Sequence, residues 1–289
     1  MSVAAVARKD FRDGIRSRLL WGLIALFVVS IAGFSVLATR NVDGVQAEGE
    51  LAILFVLGLS FVLAIVVLVP LTGLVVSIKS IVRERELGSL KILLSLPHSR
   101  GEVVVGKFLG RSALLTTAIL AGFLPAGLVF AIRVPEFPVP EYLAFTLVTV
   151  LFGIVFVAVG LGISALVSTE TRATVAGVGA FFLLYLWDNL FGYVNAQLDL
   201  LSGDALTFVL RFDLFTVFFD VLLTLFSLRY DDVPSASAAV SGQLAGGPEV
   251  AEIPAQPFYL QHWFALVILA LWIAVPVAIG YLRFERADL

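Results

Sequence analysis

Six stretches of this chain are predominantly apolar: Leu19–Ala38, Leu51–Ile78, Ser112–Ile132, Tyr142–Val167, Ala173–Tyr193 and Trp263–Leu282. Each reaches the ~20 residues that a helix needs to cross a hydrocarbon layer ~30 Å thick. The pattern predicts six membrane-spanning helices. The second stretch is long enough to tilt or to begin in the interface, and Pro70 marks a kink point. The first follows a basic run (Arg8, Lys9, Arg12, Arg16, Arg18), as the core of a signal peptide would. A signal core is only ~7–15 residues long and ends at small residues. This run ends Val36-Leu37-Ala38-Thr39-Arg40, so it reads as an uncleaved span.

The charged residues between the spans set an orientation. With the N-terminus in the cytoplasm, fifteen Lys and Arg fall on the inside, including seven between Lys79 and Arg111. Only Arg40, Arg133, Arg211 and Arg229 fall outside. Acidic residues divide the other way, eight inside and fourteen outside. A basic excess of this size on short loops places both termini in the cytoplasm of a plasma-membrane protein.

One further apolar segment, 205–228, is ambiguous. Asp213, Thr216, Asp220, Thr224 and Ser227 recur every three or four residues, opposite Phe212, Phe215, Phe219 and Phe226. That is an amphipathic helix, expected to lie in the outer interface. The alternative, a seventh span, would bury two carboxylates at a few kcal/mol each and carry Arg283 and Arg286 outside. After it, Pro234, Pro248, Pro254 and Pro257 stand among Ser, Ala and Gly, an extended outer loop. The expected fold is therefore an all-α membrane protein of one transmembrane domain, 1–289, with outer segment 194–262.

Composition agrees: 60% of residues are hydrophobic and 14% charged, more apolar surface than a soluble domain of this length can hide. There is no cysteine and only His98 and His262, which leaves no soft-ligand metal path. Spans one to four and six hold no Asp, Glu or His, against an intramembrane protease or metal pump. Asp188, beside Trp187 and Asn189, reads either as an interfacial anchor or as an outer gate or partner contact, a role also open to Asp213 and Asp220.

The most informative stretch joins spans two and three. Gly88 breaks the helix leaving the membrane, and Ser89 can cap a short helix, Leu90–Leu96, that Pro97 stops. Ser99-Arg100-Gly101-Glu102 is a capping box that restarts a helix. A short apolar helix outside the hydrocarbon needs a cover: its own bundle, lipid headgroups, or a groove on a partner. Gly101…Gly106-Lys107 imitates a phosphate-binding loop but lacks the final Ser or Thr and a preceding strand. Gly106-x-x-x-Gly110 has the spacing of close helix packing, as do Ala158…Gly162 and Ala176…Ala180.

Glu84-Arg85-Glu86-x-Gly88-Ser89-Leu90, then Leu93-Leu94-x-Leu96-Pro97-x-Ser99-Arg100-x-Glu102, then Gly106-Lys107, resembles the first cytoplasmic loop of the ABC-2 type permeases, with Ser89 where Thr is usual. The resemblance implies six spans and an N-terminal elbow helix on the inner membrane surface, here with Val3, Ala7, Phe11 and Ile15 four apart. It makes Leu90–Leu96 a coupling helix docking on a separate ATPase subunit. Glu84, Arg85, Glu86, Gly88, Ser89, Leu90, Leu93, Leu94, Pro97, Ser99, Arg100 and Glu102 become the contact residues. Ser168–Arg172 is a second candidate contact, or a plain turn. The chain itself would then have no catalytic residue, metal or bound cofactor; ATP and magnesium would sit in the partner, and two permease copies would pair. Within the family, the large segment between spans five and six most resembles the subgroup serving nitrous-oxide reductase maturation. The rival reading is a non-transporting scaffold that recruits an extracytoplasmic partner through Asn195–Pro257.

Overall fold

A computed structural model describes residues 2–40, 62, 65–88, 100–135, 137–227 and 257–286. The described residues are helical, without a strand, and form two compact units, one of residues 1–177 with 274–289 and one of residues 178–273.

The first unit opens with α1 (Val3–Ile15) and α2 (Arg18–Thr39). Ser17 separates them, its hydroxyl accepting from the Leu20 N–H at 3.2 Å and so capping α2. A wide π turn, Val28–Ala32, lies inside α2. Next come α3 (Ile65–Glu86), loosened into a turn at 78–81, α4 (Arg100–Arg133) and α5 (Val139–Leu166). The unit continues into the start of α6 (Glu170–Tyr185) and includes the last part of α10 (His262–Glu285).

Burial separates the spans into two kinds. The apolar windows of α3 and α5 are 72% and 61% buried, whereas those of α2 and α4 are 28% and 33%. So α3 and α5 make the inside, and α2 and α4 present Trp21, Val29, Leu124, Leu128 and Ile132 outward. Such faces suit lipid, which gains nothing from hiding Leu from itself; close contact rests on small residues instead. Gly73 of α3 lies so near Gly153 of α5 that an added Cβ would come 2.9 Å from the Gly153 carbonyl oxygen. Gly162 of α5 meets the Pro276 backbone of α10 in the same way. Several hydroxyls within the spans are satisfied locally, Thr72 and Ser77 donating to carbonyls three and four residues back.

The second unit holds the end of α6, then α7 (Trp187–Leu198), α8 (Gly203–Leu210), α9 (Leu214–Ser227), a 3-10 turn (Phe258–Leu260) and the start of α10. Two expectations change here. The fifth stretch is no straight rod: α6 and α7 meet at Leu186 with a 70° bend, so five helices are long enough to span, or six if this pair is one broken span. And 205–227 is two helices, parted at Arg211–Asp213, with Asp213 and Asp220 of the polar stripe turned inward. Asp220 is wholly buried because the chain supplies its counter-charge: Arg211 Nη2 lies 2.5 Å from Asp220 Oδ2. Arg211 Nε also donates to the Tyr259 carbonyl at 3.0 Å. The ion pair offsets part of the cost of burying Asp220, and desolvating both charges keeps the net gain small.

Candidate functional site

The loop that carries the family-like motif lies mostly outside the described residues, Ser89, Leu90, Leu93, Leu94, Pro97 and Ser99 among them. Its two flanks are described, and both are fastened to the ends of spans.

On the incoming flank, α3 runs to Glu86, and Gly88 ends it with φ +70°, a backbone state that glycine adopts without a Cβ clash. The acid-base-acid triplet before it points three ways. Glu84 Oε1 accepts from Lys107 Nζ of α4 at 2.7 Å. Arg85 Nη1 donates to the Val167 carbonyl at the end of α5, at 3.0 Å. Glu86 Oε1 accepts the Glu170 N–H at 3.0 Å, filling one of the orphan donors at the start of α6. Glu170 in turn pairs with Lys79 at 3.0 Å and reaches Arg83 at 3.8 Å. One turn earlier, the Ser164 hydroxyl of α5 accepts both the Ile81 and Val82 N–H groups, where the loosened turn of α3 has freed them. Of the residues expected to meet an ATPase, Glu84, Arg85 and Glu86 thus have their bonds inside the chain.

The outgoing flank is tied as well. Arg100, the first residue of α4, donates through Nη1 to the Phe284 and Glu285 carbonyls at 2.8 and 2.7 Å, capping the C-terminal end of α10, and stands over the Phe284 ring at 5.8 Å. Glu102 occupies the first turn of α4, where a carboxylate suits the helix dipole.

Beneath these ties lies a buried charge cluster not foreseen from sequence. Lys107 is 3% exposed and sits between Glu84 and Asp10, whose Oδ1 is 3.8 Å away. Arg111 grips Asp10 with two nitrogens, each 2.9 Å from a carboxylate oxygen, and its Nη1 donates to the Val76 carbonyl at 3.1 Å. The cluster joins α1, α3 and α4. It forms because Gly106 and Gly110 let α1 settle onto α4: a Cβ at Gly110 would lie 2.8 Å from Asp10 Oδ2 and 3.0 Å from the Ala7 carbonyl. The buried stripe of α1 is therefore Val6, Asp10 and Gly14, one position round from the Val3, Ala7, Phe11 and Ile15 stripe. Lys107, the lysine of the phosphate-loop look-alike, lies within helix α4 and is committed to these ion pairs. The signal available in the sequence was the alternation Gly106-Lys107 and Gly110-Arg111, with Asp10 among bases.

In the second unit, Asp188 is exposed in the first turn of α7, near enough to Asp213 to act on it as a like charge. Asp213 lies outside the spanning helices and caps α9, its Oδ2 accepting the Thr216 N–H at 2.7 Å. Burial pushes its carboxyl above the ordinary range, and the hydrogen bonds from Thr216 offset part of that. Asp213 and Asp220 are thus used within the unit, and Asp188 alone of the three presents its charge outward.

No group of three or more His, Asp or Glu with metal-holding geometry occurs among the described residues. What the fold presents is a multi-pass helical membrane protein, and the ionic chemistry of its first unit is gathered at one end of the spans, around one loop. The chain belongs to the ABC-2 transporter family: the profile described as ABC-2 family transporter protein matches residues 4–289. It is 31% identical, over 98% of its length and 98% of the relative's, to a protein of Pseudomonas aeruginosa named probable ABC transporter permease protein NosY. A protein of the same name from Stutzerimonas stutzeri is 32% identical over 63% of this chain and 66% of its own.

Proposed function

We propose that this permease converts ATP-driven motion of a separate ATPase subunit into movement of its spans, through segment 89–99 with its N- and C-termini on the cytoplasmic side. The observation that carries the reading is the fastening of both flanks. A displacement of 89–99 is passed through Glu84 to α4, through Arg85 and Ser164 to α5, through Glu86 to α6 and through Arg100 to α10. A loop that merely connected two spans would have no use for four such ties. The contact surface for the ATPase is then the apolar Leu90, Leu93 and Leu94, and the triplet Glu84-Arg85-Glu86 transmits. Two permease copies paired through outward-facing spans would complete the assembly. The outer output is export of an apolar cargo or conformational work on an extracytoplasmic protein. Exposed Asp188, Asp199 and Asp204 in the second unit support the latter.

The test is co-expression with the ATPase and assay in vesicles. Leu93→Pro should leave membrane insertion intact, abolish ATPase binding and remove most of the permease-dependent ATPase activity. Glu84→Gln should keep binding while lowering that activity. Full binding and full activity in Leu93→Pro would sink the docking role of 89–99.

A further inference from the structure

A cavity of about 580 Å³ opens beside the triplet, in the first unit, and four arginines line it: Arg85, Arg172, Arg283 and Arg286, together with Val167 and Ser168. Among the described residues that line it there is no carboxylate. Arg85 spends only Nη1, on the Val167 carbonyl; its Nε and Nη2 are buried with no hydrogen-bond acceptor among the described residues. Arg283 and Arg100 face it as like charges, which leaves the cation under-compensated. Buried guanidinium donors of this kind cost free energy unless an acceptor meets them, and a charged acceptor meets them best. The cavity stands where α5 and α10 end, and part of its wall, Ala165 to Val167, is apolar.

We propose that this cavity binds a phosphate-bearing anion, supplied as the headgroup of an anionic phospholipid in the adjoining leaflet. Four planar forks around one space match tetrahedral phosphate oxygens, which accept in several directions at once. The apolar wall suits the glycerol and first acyl carbons, and basic pockets between spans at the cytoplasmic surface take such lipids generally. The inference draws from the preceding reading only the placement of this end at the inner surface. A bound lipid would brace Arg85 against α10, so the composition of the leaflet would bear on the stiffness of the triplet.

The experiment uses the full chain, delipidated in detergent and titrated with phosphatidylglycerol or phosphatidylcholine, with bound lipid counted by native mass spectrometry. Phosphatidylglycerol should bind once per chain in preference to phosphatidylcholine. Arg283→Gln with Arg286→Gln should weaken it about tenfold or more, while Arg133→Gln, at the far end of α4, should leave it unchanged. Both mutated arginines are exposed, and a thermal unfolding curve checks that the variant is folded. Inorganic phosphate is the second probe: displacement of the lipid supports a phosphate site. Free phosphate binding as tightly as the lipid, with no lipid preference, would overturn the lipid assignment. Equal retention of the two lipids, or wild-type retention by the double variant, would overturn the site. Loss of ATPase assembly in Leu93→Pro is read separately, so either idea can fail without the other.

Discussion

Lys107 is the residue on which most depends. It is almost wholly buried with one carboxylate at 2.7 Å and another at 3.8 Å. Removing one partner of a buried pair leaves the other charge uncompensated, which costs on the order of 3 kcal/mol. Lys107→Met should therefore lower the unfolding midpoint markedly, and adding Glu84→Gln should restore part of it; a double-mutant cycle by thermal unfolding in detergent measures the coupling. Glu86→Gln, whose bond is exposed, should cost about 0.5 kcal/mol or less. Asp213 offers a pH test. Its folded carboxyl binds a proton more readily than the unfolded one, because of burial. Its stabilising contribution is therefore complete below the unfolded value and is lost as pH rises through the folded value. Asp213→Asn keeps the cap on Thr216 and should flatten that part of the stability–pH curve, with stability at neutral pH equal or higher. Asp213→Ala loses the cap, at about 1 kcal/mol.

Helices were legible from sequence where one physical signal dominated. Hydropathy places the spans of α2, α4, α5 and α10 because length and apolarity answer directly to bilayer thickness. It misses the 70° bend at Leu186, since an apolar run looks the same straight or broken, and Trp187-Asp188-Asn189 reads equally as an anchor. Periodicity finds the stripe Asp213–Asp220 but not which way it faces; that depends on Arg211, which pattern alone leaves among outer charges. The charge cluster was hidden for a related reason. Asp10 and Arg111 are about a hundred positions apart, and charges flanking a span read as solvated. The glycine spacing in α4 was visible, and its partner proves to be α1. Gly110→Ala forces α1 away from α4 and should destabilise by about 1–3 kcal/mol. Because the chain has no cysteine, a pair introduced across α1 and α4, away from Asp10, Lys107 and Arg111, can report the separation by crosslinking without background.

For the whole molecule, the family is shown by the profile match over residues 4–289, and orientation is the property to measure. Single cysteines at Ser168 and Asp204, both exposed, should label from opposite sides, Ser168 from the cytoplasm. Accessibility of both from one side would overturn the topology and with it the role of segment 89–99. The outward faces of α2 and α4 remain available to lipid or to a second copy, which crosslinking at Val29 or Leu128 would distinguish. The three-way splay of Glu84, Arg85 and Glu86 has a mechanical corollary. Those side chains act as a harness: load applied at one knot is divided among α4, α5 and α6, so cutting a single strap slackens the join without severing it, and Ser164 and Arg100 would still hold α5 and α10 after all three had gone.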